Sequence, residues 1–266
     1  MTIPATFDPQ TVEQIRQRLG DVAGREAVAI PLAIESGSRA WGFPSPDSDY
    51  DCRFVYVRGV DAYLTPWPPR DVIETPLDAV LDVMGKLLAL LLKGNAVAIE
   101  WLRSPIHYRM DAGFRGALLD FAEKHVPAEA VRRHYFHLGG LQWQRRGSEA
   151  EAPVKKLFYA LRPAASLRWL RLHPGQPIAP MHFPTVLAEC DPPADLRAEV
   201  EDMIRRKATT RELGKAPVPP VVRRFIEDEF EIARQDIARM ASTGIDAGAR
   251  EAAATLFRML VRSYGP

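Results

Sequence analysis

Two β-rich runs, residues 27–35 (AVAIPLAIE) and Asp51–Arg58 (DCRFVYVR), stand fifteen residues apart, and turn chemistry fills the gap. The connection reads Ser36-Gly37-Ser38-Arg39-Ala40-Trp41-Gly42 and then, past a proline-containing turn, Ser48-Asp49-Tyr50-Asp51. A strand feeding directly into Gly-Ser, a short segment closed by glycine, and two carboxylates at the mouth of the next strand can hold a phosphate beside a divalent metal. Glycine lets backbone approach an anion closely, Ser38 adds a hydroxyl, and the N–H groups opening the turn form a small positive pole. Residues i and i+2 of a strand share a face, so Asp49 and Asp51 can aim at one point, where their repulsion is relieved by a cation. Arg39 either reaches a phosphate oxygen or pairs structurally with a carboxylate.

The same residues also make a good turn, since Ser, Pro and Asp all favour one. An EF-hand beginning at Asp47 fails, because Cys52 takes its glycine position and Arg58 its bidentate glutamate. There is no GxxxxGK[ST] loop and no GxGxxG. The site reading is strengthened by residues 79–84 (AVLDVM), read as a strand ending at Gly85 with Asp82 alone among apolar neighbours, a third carboxylate able to approach the pair. Three carboxylates suit Mg²⁺ or Mn²⁺, and a two-metal site of that kind serves in-line displacement at phosphorus.

Around this block the pattern turns helical. Asp8-Pro9 opens a first helix with stripe Val12, Ile15 and Leu19, which Gly20 is expected to end. Pro31 favours an edge position or a bulge for its strand. Helices are predicted over residues 86–93, capped by Gly94-Asn95, then Ala96–Arg103, 111–123, 127–146 and 153–172, the last kinked or split at Pro163. Pro184, Pro192 and Pro219 mark further helix starts, and residues 221–240 are amphipathic. The change of pattern predicts a catalytic domain over residues 1–108 and a helical domain over 109–266 completing the cleft.

Residues 1–110 hold 11 Lys and Arg against 14 Asp and Glu, whereas the remainder is basic, 24 against 20. An acidic half beside a basic half fits a metal site facing a polyanion, or simply two differently solvated faces. Residues 132–173 concentrate nine Lys and Arg among Tyr135, Phe136, Trp143, Phe158, Tyr159 and Trp169. Such a stretch reads either as a single-stranded RNA surface or as amphipathic helices with aromatic cores. Two distant cysteines suggest no disulfide framework or zinc site. The longest apolar run in the region of residues 87–102, Leu87 to Leu92, falls far short of the roughly 20 residues of a membrane span, and no secretory signal opens the chain. The expectation is a cytoplasmic protein of open oligomeric state.

GSRAWG followed by SDYD resembles the signature of the DNA polymerase β-like nucleotidyltransferase superfamily. With DVIETPLDAVLDVMGK, LLLKGNAVAIEWLRSPIHY and VKKLFYALRPAASLRW, residues 27–172 are most similar to nucleotidyltransferases encoded with RNA ligases. The resemblance implies an α+β fold: a small mixed sheet with helices on one face, then an all-helical domain. It implies nucleotide contacts at Gly37, Ser38 and Arg39, and metal binding and catalysis at Asp49, Asp51 and Asp82. Lys155, Lys156 and Tyr159, sharing much of a helix face with Arg162, would lie over the triphosphate or form a solvated basic face. Members usually carry Trp-Asp after the strand glycine, where this chain has Lys86-Leu87. The implied reaction is Mg²⁺- or Mn²⁺-dependent transfer of NMP from an NTP, ATP favoured, to an acceptor hydroxyl on RNA or tRNA in repair, with an RNA ligase as functional partner. Two alternatives stay open: a protein-modifying toxin–antitoxin type enzyme, whose GSRARG motif GSRAWG is similar to, and a non-catalytic accessory protein that binds nucleotide or RNA.

Overall fold

The computed structural model describes residues 3–67, 70–73, 84–144, 151–210, 214–240 and 244–266, without the side chains of Met84, Lys155 and Lys215. Asp82 and the strand expected over residues 79–84 therefore lie outside the described residues, apart from Met84, which begins a helix. Among the described residues the main sheet has three antiparallel strands in the order β2-β1-β3, formed by β1 (Val28–Ser36), β2 (Asp51–Arg58) and β3 (His107–Met110). The short strand β3 falls where sequence patterning showed only a change of character.

Both faces of the sheet are covered. Ile30, Ala33, Phe54, Tyr56 and Tyr108 pack beneath α1 (Pro9–Glu26), while Leu32, Ile34, Val55 and Val57 join a larger core that reaches Val261. Burial from two sides explains why residues 54–57 are apolar without alternation. Helix α1 runs through Gly20 because Val22 extends the stripe of Val12, Ile15 and Leu19; that burial outweighs the roughly 1 kcal/mol helix cost of glycine. Pro31 sits in the central strand, not at an edge. The register shifts between Ala29 and Leu32, so the missing N–H falls in a bulge, and the Pro31 carbonyl accepts the Asp111 N–H at 2.8 Å.

Between β1 and β2 lies α2 (Gly37–Trp41). Helices α3 (Met84–Leu92) and α4 (Ala96–Arg103) meet at Gly94-Asn95: Gly94 has φ +67°, and the Asn95 side chain caps α4 at the Ala98 N–H. Helices α5 (Ala112–His125) and α6 (Ala128–Gln142) follow β3. Strand β4 (Glu151–Pro153) pairs with β5 (Lys215–Pro217). Helix α7 (Val154–Leu172) continues through Pro163 without splitting, because residues 160–167 around the proline are all buried and Gly139 of α6 leaves the space that Pro163 and Phe230 occupy. Helices α8 (Phe183–Glu189), α9 (Ala194–Thr209) and α10 (Pro220–Arg239) precede α11 (Ala247–Tyr264), which returns to pack on α3, α5 and β2. No helix among the described residues is long and apolar enough to cross a membrane.

Candidate active site

Strand register decides the geometry of the Gly-Ser turn. Ser36, the last residue of β1, pairs with Asp51, the first of β2, so Gly37 lies directly against the Asp51 side chain. A Cβ on Gly37 would stand 2.0 Å from Asp51 Oδ2, and Gly37 has φ +65°; glycine is required there on both counts. Ser38 Oγ donates to Ser48 Oγ at 2.9 Å, and Ser48 Oγ also accepts the Ser45 N–H at 2.8 Å, closing the turn. The Arg39 guanidinium donates to the carbonyls of Ser48 (2.7 Å) and Asp49 (3.1 Å) and stacks 4.1 Å from the centroid of Tyr50. It thereby clamps the loop that carries Asp49, and it does not line the cleft.

That cleft has a volume of about 880 Å³, in the range of small-molecule sites. Gly37, Ser38, Asp49, Asp51 and Tyr159 all line it, so most of the candidate nucleotide and metal residues converge on one space. Neither the Asp49 nor the Asp51 carboxylate accepts a hydrogen bond or ion pair from a described residue. Two open carboxylates beside a glycine cradle that a Cβ would fill suit a hard, oxygen-liganded cation. Among the described residues no three His, Cys, Asp or Glu side chains gather to hold a metal. Lys156 Nζ stands 5.3 Å from the Tyr159 ring centroid, outside the cleft lining.

Patterning alone did not assign several of the other lining residues. Trp41 meets Tyr159 edge-on with centroids 5.9 Å apart. Arg162 of α7 stacks 4.3 Å over Trp41 and bonds the buried Glu100, which also accepts from Tyr135 at 2.8 Å. Lys207 of α9, 3% exposed, donates to Ser45 Oγ at 3.4 Å. Much of the basic aromatic stretch is internal: Tyr135, Phe158 and Trp169 are core, Arg168 and Arg171 both bond Glu229, and Arg132 bonds the Leu170 carbonyl.

Behind Asp51 sits Glu35, fully buried, accepting the Asp51 N–H at 3.0 Å and the Tyr108 hydroxyl. A lone glutamate ending an apolar strand was the available signal for it. Burial pushes its carboxyl from 4.5 up to about 7; the two hydrogen bonds pull it down, and the Asp51 charge pushes it up again. In metal-free buffer the folded state thus keeps this proton to about pH 7, while the unfolded chain releases it near 4.5. Stability from this group is fully present below pH 4.5 and is lost as pH rises through 7, by up to roughly 3 kcal/mol. Glu35→Gln is expected to flatten that decline in denaturant unfolding across roughly pH 5–8; an unchanged slope would contradict the shift.

Comparison with known proteins gives the family of the chain. The sequence profile described as the RNA repair pathway DNA polymerase beta family matches residues 12–258. The chain is 36% identical over 223 residues to "Uncharacterized protein YcgL" of Bacillus subtilis (strain 168), covering 82% of this chain and 85% of that protein. A turn, two carboxylates and a cleft assembled on a small sheet, in a chain matched over nearly its whole length, place this protein in the RNA repair pathway DNA polymerase beta family.

Proposed function

We propose that the protein is a metal-dependent nucleotidyltransferase that moves an NMP group from an NTP, ATP first among the donors, to a hydroxyl of RNA, releasing pyrophosphate. The observation that carries this reading is the opening of the Asp49 and Asp51 carboxylates, without a partner among the described residues, onto the same cleft as Gly37 and Ser38. Asp49 and Asp51 would hold Mg²⁺ or Mn²⁺, with Asp82 as the third carboxylate; the ion when bound supplies charge neutralisation at the phosphates and acidifies the attacking hydroxyl.

The chain's own residues account for the rest. Gly37 and Ser38 offer close backbone and a hydroxyl to phosphate oxygens, and Arg39 holds the Asp49 loop in register. Lys207 brings positive charge to the wall, while Trp41, backed by Arg162, and Tyr159 give flat apolar surface of the kind a base stacks on. Lys155 and Lys156 belong to the first turn of α7, the helix that carries Tyr159.

The test is incubation with each α-labelled NTP, Mg²⁺ or Mn²⁺, and total cellular RNA, followed by location of the label. Label on RNA 3′ ends is the expected result. Label on protein would replace RNA with a protein acceptor, and metal-dependent NTP binding with no transfer to any acceptor would leave a binding protein.

A further inference from the structure

A second concavity of about 450 Å³ lies apart from the carboxylate cleft, lined by Arg103, His107, Arg115, Trp169, Gln176 and His182. Arg103 ends α4, and Arg115 sits in the first turns of α5 with its Nε donating to the Leu102 carbonyl at 2.9 Å. That bond holds the second guanidinium beside the first. Burial and then the Arg103 charge pull the Arg115 pKa down, so the two cations are near enough to repel.

Some arginines of this protein are neutralised, buried Arg162 by Glu100 and half-buried Arg168 and Arg171 by Glu229, while half-buried Arg58 and Arg132 bond backbone carbonyls. Among the described residues, neither Arg103 nor Arg115 has a carboxylate within ion-pair distance. Arg103 Nε is shut off from solvent with no acceptor. The lining also includes one carboxylate, Glu189, which accepts the Trp169 indole N–H at 2.7 Å and reaches neither arginine. Two unneutralised guanidinium groups in one concavity, one carrying an orphaned buried donor, form the complement of a multivalent oxyanion.

We propose that this pocket binds a phosphate group, presented by a nucleic-acid strand or as the free ion, at a site separate from the carboxylate cleft. The two sites share the segment between Glu35 and Gly42. Ser104, next to Arg103, donates to the Glu35 carbonyl at 2.7 Å, one residue before the cleft-lining Ser36. At the other end of α2, a Cβ on Gly42 would meet His182 Nε2 at 2.4 Å. A strand phosphate seated on the arginines thus lies beside the element that carries Gly37 and Ser38.

The experiment measures binding of a labelled single-stranded RNA by fluorescence anisotropy over a salt series, and the melting temperature with and without inorganic phosphate. Neither nucleotide nor divalent metal is added, so a failure of label transfer would leave this result standing. Arg103→Gln loses no described hydrogen bond and is expected to weaken RNA binding about tenfold. It should also lower the slope of log affinity against log salt by about 0.7. Arg115→Lys, which keeps the charge and loses the fork, should weaken binding less, and Arg197→Gln, an exposed charge outside the pocket, by under about twofold. RNA binding lost with Arg103 supports a strand phosphate. A phosphate-induced rise in melting temperature that disappears in Arg103→Gln, with RNA binding unchanged, supports the free ion. If wild-type protein binds neither, or Arg103→Gln matches wild type or Arg197→Gln in both assays, the proposal is overturned.

Discussion

Asp49→Asn is expected to fold with the wild-type melting temperature and to transfer label from NTP at under about one-hundredth of the wild-type rate. The stability half follows from exposure and the absence of partners. The Asp49 carboxylate accepts nothing from the described protein, so replacing one oxygen by an amide removes no native bond, and surface changes of this kind stay within about 0.5 kcal/mol. The activity half follows from the proposed role. Loss of an outer partner of a metal ligand already costs about 10–100-fold, and removing a ligand should cost more. Transfer above roughly one-tenth of wild type (the weak end of that range) in a folded Asp49→Asn protein would remove Asp49 from the chemistry. Asp51→Asn is the companion, with the Glu35 bond to the Asp51 backbone left intact.

Arg162→Leu should instead damage the fold, by about 3–5 kcal/mol in denaturant unfolding. Arg162 is 5% exposed and Glu100 2%, and their ion pair spans α7 and α4. Removing the guanidinium leaves the Glu100 carboxylate buried with the Tyr135 hydroxyl as its remaining donor. The penalty comes from the stranded charge more than from the lost attraction, so Arg162→Leu combined with Glu100→Leu should recover most of the stability. A single-variant loss below about 1 kcal/mol, the range of an exposed pair, would mean that water reaches Glu100. The Trp41 face that Arg162 covers would also be uncovered, and weaker nucleotide binding should accompany the change.

Local chemistry was a good guide wherever neighbours in sequence are neighbours in space. Asp8, Asn95 and Asp111 each accept a backbone N–H three residues on, as helix caps should, and the extent of β2 follows its run of large apolar residues. It misled where packing overrode propensity: Gly20 does not end α1 and Pro163 does not split α7, whereas Pro31 takes the bulge, of the two places expected for it, in a central strand. For Pro163 and Pro31 the deciding contacts came from residues far along the chain, Gly139 and Phe230 for the first and Asp111 for the second. The aromatic and basic stretch of residues 132–173 was ambiguous for the same reason, since its glutamate partners, Glu100 and Glu229, stand 62, 61 and 58 residues from the arginines they bond.

The Gly37-Ser38 turn and the Asp49–Asp51 pair were legible from sequence because strand periodicity and glycine's conformational freedom act within a few residues. What closes around them was not. The Ser36–Asp51 pairing that seats a carboxylate on Gly37 is a matter of register, and Lys207 reaches Ser45 across 162 residues. Glu35 became a proton-holding support only once folding buried it, against the downward pull of the Tyr108 hydroxyl from β3, and the facing of Arg103 and Arg115 depends on how α4 and α5 meet. Burial and long-range charge are properties of the folded arrangement, and no local pattern of residue types encodes them.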